Sequence, residues 1–226
     1  MKLVFLGTGA ADWDITRPKK DGEFRRFSSV LVDGRLLIDP GPCVLEAAGT
    51  FGVDLSSVKY ILNTHDHDDH LHRPTLSRLM ERGARFLPFS AGEVRRIGGY
   101  VIEAVQANHG TCPDAVHFLI DDGEKRFFYG LDGAWLLYPE IEAIKKRYVD
   151  LIVLDGTIGD IAGDYRIFEH NNLIMVEEMK KSLASYAGRF MISHMARTLH
   201  TDHRTLVRRM LSSGIEVAYD GLATEL

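Results

Sequence analysis

Apolar residues in this chain arrive in short bursts broken by glycine, proline and charge, and the bursts alternate in character along its length. LVFL (3–6), SVLVD (29–33) and RLLID (35–39) read as strands, the last two joined across Asp33-Gly34, a strong hairpin signal. VKYIL (58–62), ARFLPF (84–89), YVIEAV (100–105), VHFLI (116–120) and KRFFYG (125–130) continue the strand pattern. Pro42 opens a short helix ending near Gly49, and Pro74 opens another running to about Arg82. Later the period lengthens: helices are expected over 134–147, 173–186 and 202–212, alternating with the strands DLIVLD (150–155), RFMIS (189–193) and IEVAY (215–219). Strand-rich halves each followed by helices predict an α/β (α+β) chain built as a helix–sheet–sheet–helix sandwich. No linker, low-complexity run or short repeat divides it, so residues 1–226 are expected to form a single domain.

Composition narrows the function. Hydrophobic residues make up 45% and charged residues 26% of the 226, enough for a full core. A formal charge of −5 argues against binding nucleic acid by bulk electrostatics, although Arg17, Lys19, Lys20, Arg25 and Arg26 make one local basic stretch within a long polar loop. The first apolar run ends at Gly7, too short for a signal peptide or a spanning segment, and a cytoplasmic protein without membrane contact is expected. Cys43 and Cys112 form no CxxC pair and point to neither a disulfide framework nor a zinc ribbon; Cys112 reads as a packing residue.

One stretch stands apart from this background. VKYIL delivers the chain into NTHDHDDH (63–70), and four of the ten histidines lie within 65–72. In extended backbone, residues two apart share a side, so His65 and His67 converge while Asp66 and Asp68 face away. Asp69 and His70 follow at the turn into the next helix. Neutral imidazole and carboxylate are natural ligands of Zn²⁺ or a similar divalent ion. One loop cannot complete such a site. His109, Asp132 and His194 each stand where an apolar strand gives way to a loop, the usual place for functional groups on a rigid scaffold.

The order HxHxDH at His65, His67, Asp69 and His70, then His109, Asp132 and His194, resembles the metallo-β-lactamase superfamily over nearly the whole chain. The resemblance implies that family's αββα sandwich, two mixed sheets flanked by helices, with a two-metal site at one edge. It further implies that His65, His67 and His109 hold one ion, that Asp69, His70 and His194 hold the other, and that Asp132 bridges them. LGTGAA, RRFSSVLVDGRLLIDPGP, EHNNL and the ending SHMARTLH with AYDG are similar to the branch containing the cyclic-phosphate phosphodiesterase of bacterial phosphonate degradation. In that branch a non-ligand histidine precedes Asn, a position filled here by His170. Departures count too: the cysteines of that enzyme's extra structural zinc are absent, as is the basic-glycine arm of the tRNA 3′-end endonucleases. True β-lactamases lack the bridging Asp. Enzymes hydrolysing glutathione thioesters carry a helical C-terminal domain that this chain lacks.

These implications define the expected chemistry. Two ions roughly 3.5–4 Å apart, most naturally Zn²⁺ with Mn²⁺ as the alternative, lower the pKa of a shared water and clamp the phosphoryl oxygens. The expected substrate is a small phosphodiester, a cyclic phosphate or nucleotide, with Asp132 and Asp69 in the catalytic centre and His170 as general acid. The alternatives are an RNA-processing endonuclease of the tRNA 3′-end type and a non-catalytic metal- or ligand-binding member of the fold. A homodimer is compatible with either. Asp39 is expected either to cap a turn or to support a metal ligand from behind. His117 is expected to be structural, and His200 and His203 to cap or pack near the site edge.

Overall fold

The computed structural model describes residues 1–16 and 23–226. Its strands are β1 (Lys2–Gly7), β2 (Ser29–Val32), β3 (Leu36–Ile38), β4 (Tyr60–Leu62), β5 (Arg85–Phe86), β6 (Val94–Ile97), β7 (Tyr100–Gln106), β8 (Val116–Asp121), β9 (Arg126–Gly130), β10 (Val149–Asp155), β11 (Ala187–Ser193), β12 (Glu216–Val217) and β13 (Ala223–Glu225). The helices are α1 (Val44–Phe51), α2 (Arg73–Glu81), α3 (Tyr138–Lys145), α4 (Leu173–Leu183) and α5 (His203–Leu211). One sheet runs β13-β1-β2-β3-β4-β5 and the other β12-β11-β10-β9-β8-β7-β6. Both are mixed: β3, β4 and β5 are parallel within the first, and β9 through β12 within the second.

The period-two pattern explains how the sheets stack. Leu3 and Phe5 of β1 meet Phe118, Phe127, Tyr129, Leu151 and Val153 of the second sheet in a fully buried layer between the sheets. The alternate residues turn outward. Leu6, Leu31 and Leu37 pack under α1 and α2. Phe128, Ile152 and Leu154 pack under α3, α4 and α5. Strands buried on both faces need near-continuous apolar runs, which is what FLI, FFY and LIVL supply. The αββα sandwich of the metallo-β-lactamase fold is therefore present as expected.

Several boundaries differ from the pattern-based expectation. The helix expected from Ala134 begins only at Tyr138, with Pro139 in its first turn and Glu140 reaching back to the Leu137 N–H. The chain at 132–137 is still completing the turn out of β9, with Asp132 in a left-handed conformation, φ 54°. The next helix ends at Leu183, short of Tyr186. Strands β6 and β13 carry too little apolar character to register in the pattern; both sit at sheet edges, where one face need not be buried.

Candidate metal centre

The chain places its chemistry at the carboxyl ends of strands. Asp39 follows β3, the 65–70 segment follows β4, and His109 lies just beyond β7. Asp132 follows β9, Asp155 closes β10 and His194 follows β11. In sheets with parallel strands this edge is where backbone groups and loops open a crevice for ligands. Asp39, Asp132 and His194 all have positive φ, at 59°, 54° and 61°. Non-glycine residues adopt this region at a cost of order 1–3 kcal/mol, and such strain clusters where side chains must be aimed rather than packed.

The seven residues named by the motif converge. His65, His67, His109 and Asp132 offer ligand atoms all within 4.8 Å of one another, and so do Asp69, His70, Asp132 and His194. His67 Nδ1 lies 3.3 Å from His109 Nε2, and His70 Nε2 lies 3.3 Å from His194 Nε2. Two nitrogens bound at about 2.0–2.1 Å to one tetrahedral ion sit roughly 3.3 Å apart, so the spacing fits the group. Asp132 belongs to both sets: its Oδ2 is 3.3 Å from His65 Nε2 and 2.7 Å from His70 Nε2, while Oδ1 is 3.3 Å from His194 Nε2.

Hydrogen bonds behind the rings fix which nitrogen faces inward. His70 Nδ1 donates to Asp39 Oδ2 at 2.9 Å. Asp39 Oδ1 accepts from the Thr64 hydroxyl at 2.9 Å, leaving that hydroxyl to accept from His65 Nδ1 at 3.0 Å. His194 Nδ1 donates to Thr157 Oγ1 at 2.8 Å, and Thr157 is held in turn by Asp155 at 3.0 Å. In each case Nδ1 is committed, so Nε2 is the nitrogen turned toward the centre. His65 Nε2 is buried and otherwise without a partner. A buried acceptor left this way costs free energy unless something electrophilic completes it.

Electrostatics divide the histidines into a neutral ring and rings that the carboxylates hold cationic. Burial, followed by the proximity of His70, lowers the pKa of His65 to about 2, so the ring is neutral. Burial also acts to lower His194, but Asp132 and the bond to Asp155 outweigh it and raise the ring to about 10, so without a cation in the cluster the carboxylates draw a proton onto the nitrogen that faces them. Burial opposes ionisation of Asp132 as well, yet His194 and His70 hold its carboxyl well below the usual range. Four nearly or fully buried carboxylates, Asp39, Asp69, Asp132 and Asp155, thus surround the histidines. Their summed charge balances two divalent cations.

His170 stands beside these sets. Its Nδ1 donates to Asp155 Oδ2 at 2.9 Å and lies 3.3 Å from Asp132 Oδ1; its ring stacks on His194 at 5.7 Å. Asp132, Asp155, His170 and His194 themselves form a third group of the same compactness. A pocket of about 220 Å³ opens over this surface, lined among others by His67, His109, His170, Asp12 and Arg166.

The remaining sequence candidates fall elsewhere. Asp39 holds His70 from behind as well as shaping its turn. Arg25 and Arg26 are buried: Arg25 bonds Thr8, the Ala218 carbonyl and His203, while Arg26 pairs with Glu46 and Asp220. Neither is a solvated loop residue or free to meet a phosphate, because the apolar cover around them makes these partners obligatory. Arg17, Lys19 and Lys20 lie outside the described residues. His200 Nε2 donates to the carbonyls of Gly156 and Thr157. His117 is buried, its Nδ1 bonded to Glu140 at 2.5 Å and its Nε2 to the Leu131 carbonyl at 3.0 Å. Gly133 permits this, since a Cβ there would lie 2.6 Å from the His117 ring. Asp155, Thr157 and Glu140 escaped the sequence argument. Asp155 ends an apolar strand as the other site residues do, and that signal would have found it.

Comparison with known proteins follows the geometry. Residues 23–72, which include the β2–β3 hairpin and the histidine motif, match the family model of the metallo-beta-lactamase superfamily. No curated protein sequence matches the chain. Among solved structures it is similar to the Zn²⁺-bound PqqB of Methylobacterium extorquens (TM-score 0.75, 17% identity, 100% of each chain covered). It is also similar to a diphosphatase from the PhnP family (TM-score 0.74, 20% identity, covering 100% of this chain and 97% of that one). A third is the human tRNase Z, short form (TM-score 0.71, 17% identity, covering 100% and 99%). At these identities the likeness establishes the fold, and the fold is that of the metallo-β-lactamases.

Proposed function

We propose that this chain is a metal-dependent phosphodiesterase acting on a small phosphate diester. The observation that carries the reading is Asp132 shared between two convergent ligand sets, with His170 hydrogen-bonded at their rim. In this reading His65, His67 and His109 hold one ion, Asp69, His70 and His194 the other, and Asp132 both. The nitrogen-rich donor set favours Zn²⁺, with Mn²⁺ the alternative because carboxylates contribute. When bound, two such ions supply an acidified water and neutralise charge on phosphoryl oxygens. The likeness to a PhnP-family diphosphatase supports phosphate chemistry on this scaffold.

The protein's own groups do the rest. Asp39 and Thr157 orient the ligand rings, so the site is arranged before substrate arrives. Asp155 engages His170 Nδ1, which leaves Nε2 as the nitrogen that can hand a proton to a departing alkoxide. A diester fits better than a monoester: a metal-bound hydroxide would attack a singly charged diester more readily than a dianionic monoester.

The test is metal analysis with activity on one preparation. Protein supplemented with zinc or manganese is expected to carry two ions per chain and to cleave bis(p-nitrophenyl) phosphate far faster than p-nitrophenyl phosphate or a chromogenic β-lactam. Asp132→Ala is expected to lose both ions and turnover. A metal-free, inactive wild type would sink the site assignment. Faster monoester or lactam hydrolysis would overturn the substrate class, and cleavage of a structured tRNA precursor alone would replace it with RNA processing.

A further inference from the structure

Asp132 is the residue that both candidate ligand sets share, and it reaches them from a left-handed backbone, φ 54°. A non-glycine residue keeps that conformation only where its surroundings over-determine it. Here the peptide on each side of Asp132 is held by a buried side chain from a different part of the chain. The Leu131 carbonyl accepts from His117 Nε2 on β8 at 3.0 Å. The Gly133 carbonyl accepts from Asn171 Nδ2, just ahead of α4, at 2.9 Å. One residue further on, the Ala134 N–H donates at 3.0 Å to the carbonyl of Asn108, which precedes His109. The backbone is thus fixed before and after Asp132 and tied to the segment that carries His109.

The two side chains serve this backbone rather than general packing. The His117 ring lies so close to Gly133 that a Cβ there would meet it at 2.6 Å, so the ring presses on the peptide it helps to hold. Asn171 is 1% exposed, and its Oδ1 is buried without a partner. A carbonyl oxygen can only accept, so it must be Nδ2 that faces Gly133. An apolar residue would occupy the site without burying an unpaired acceptor, and what the amide adds is the donated bond. Asn171 also meets the site from its other side: its backbone N–H donates to Asp155 Oδ1 at 3.1 Å, while Asp155 Oδ2 engages His170. One residue therefore sets the spacing between the shared carboxylate and the histidine at the rim.

We propose that Asn171 and His117 are positioning residues for Asp132, holding the carbonyls on either side of it and so setting the backbone from which one carboxylate serves two ions. This rests on the two-metal reading of the site and adds to it the residues that place the shared carboxylate. Neither side chain belongs to the two sets that would hold the ions, so each acts through Asp132.

The experiment measures zinc affinity by competition with a chromogenic chelator, beside thermal melts of the metal-free protein. Asn171→Ala is expected to weaken both ions by about 10- to 100-fold, the scale on which groups behind a metal-binding residue act. Two variants divide the roles of His117. His117→Gln places an amide nitrogen where Nε2 stood and keeps the bond to Leu131; His117→Asn places it where Nδ1 stood, toward Glu140, and loses that bond. Zinc affinity is expected to fall in His117→Asn and to be largely kept in His117→Gln. Leu183→Ala, a buried truncation at the far end of α4, controls for destabilisation alone and is expected to lower Tm at unchanged affinity. Unchanged affinity in Asn171→Ala, a loss confined to one ion, or an equal loss in Leu183→Ala overturns the proposal. So does a His117→Asn that binds as tightly as His117→Gln. If wild type binds no zinc the two-metal reading fails, and crystal structures of metal-free wild type and Asn171→Ala then decide the positioning alone. An Asp132 that leaves the left-handed region in the variant upholds it, and one that stays in place overturns it.

Discussion

At His170 a single hydrogen bond separates two roles for one imidazole. A ring that only capped α4 would be dispensable to turnover, and that cap is already supplied by Asn172, whose side chain accepts the Met175 N–H at 2.9 Å. The ring instead points Nδ1 at Asp155 and stacks on His194. Burial acts against its charged form, but Asp155 and Asp132 outweigh burial and raise its pKa above the ordinary imidazole value. His170→Ala is therefore expected to retain both ions while slowing diesters with alkoxide leaving groups by about 10²–10⁴. With p-nitrophenolate, which departs unaided, the loss should be much smaller. Parallel measurement of both leaving groups checks this; equal losses would assign His170 to phosphate binding instead.

Between elements, the pair of His117 on β8 and Glu140 on α3 fastens a helix to the sheet behind Asp132. His117 donates to the Leu131 carbonyl, one residue before Asp132, and packs against Gly133, one residue after. Both partners are essentially inaccessible, with side-chain exposures of 1% and 0%. Removing one leaves the other's charge buried, so His117→Ala should cost about 3–5 kcal/mol. Burial acts to lower the His117 pKa, and Glu140 more than reverses it, leaving the ring above its usual value. A raised histidine stabilises fully below its unfolded pKa of about 6.5 and loses that contribution as pH rises through the folded value. Thermal melts of metal-loaded wild type and Glu140→Gln should accordingly differ most near pH 6 and converge at alkaline pH. A gap that widens with pH would show the pair to be carried by something other than the imidazolium.

Over the whole molecule, the candidate ligand residues come from both halves of the sandwich. The loop after β4 supplies His65, His67, Asp69 and His70 from the first sheet, and His109, Asp132 and His194 arrive from the second. Bound ions would staple the layers at one edge, adding to the apolar seam between them. Ligands that bind only the folded state stabilise by about 2.7 kcal/mol at a hundredfold excess over Kd. For a chain of this size that corresponds to a rise in Tm of roughly 5–10 °C. Chelation should lower Tm by this order, and added zinc should restore it in a concentration-dependent way. A melting curve indifferent to chelator would show that the site does not bridge the layers. Among the described residues, no helix is long and apolar enough to cross a membrane.

Local chemistry was legible along the chain because its causes are local. Alternation of apolar residues marks strands buried on two faces, Asp33-Gly34 turns the hairpin with φ of 49° and 67°, and the two-residue spacing of His65 and His67 fixes their common side. His109, Asp132 and His194 were legible only as strand ends in a family-like order, since nothing in their own neighbourhoods names a metal. Tertiary structure decided the rest. The Asp39–His70 and Asp155–His170 bonds span 31 and 15 residues, and Glu140 reaches His117 across 23. No periodicity of 2 or 3.6 encodes such pairs; the first two exist because parallel strands bring their carboxyl ends to one edge, and the third because α3 packs on the second sheet. The same closure buried Arg25 and Arg26, which composition presents as surface charge, and set the Trp13 indole against Met195, nearly the length of the chain away. A sequence fixes which groups can ligate, donate or stack, and the fold alone fixes which of them meet, because that depends on contacts between strands rather than on neighbours along one.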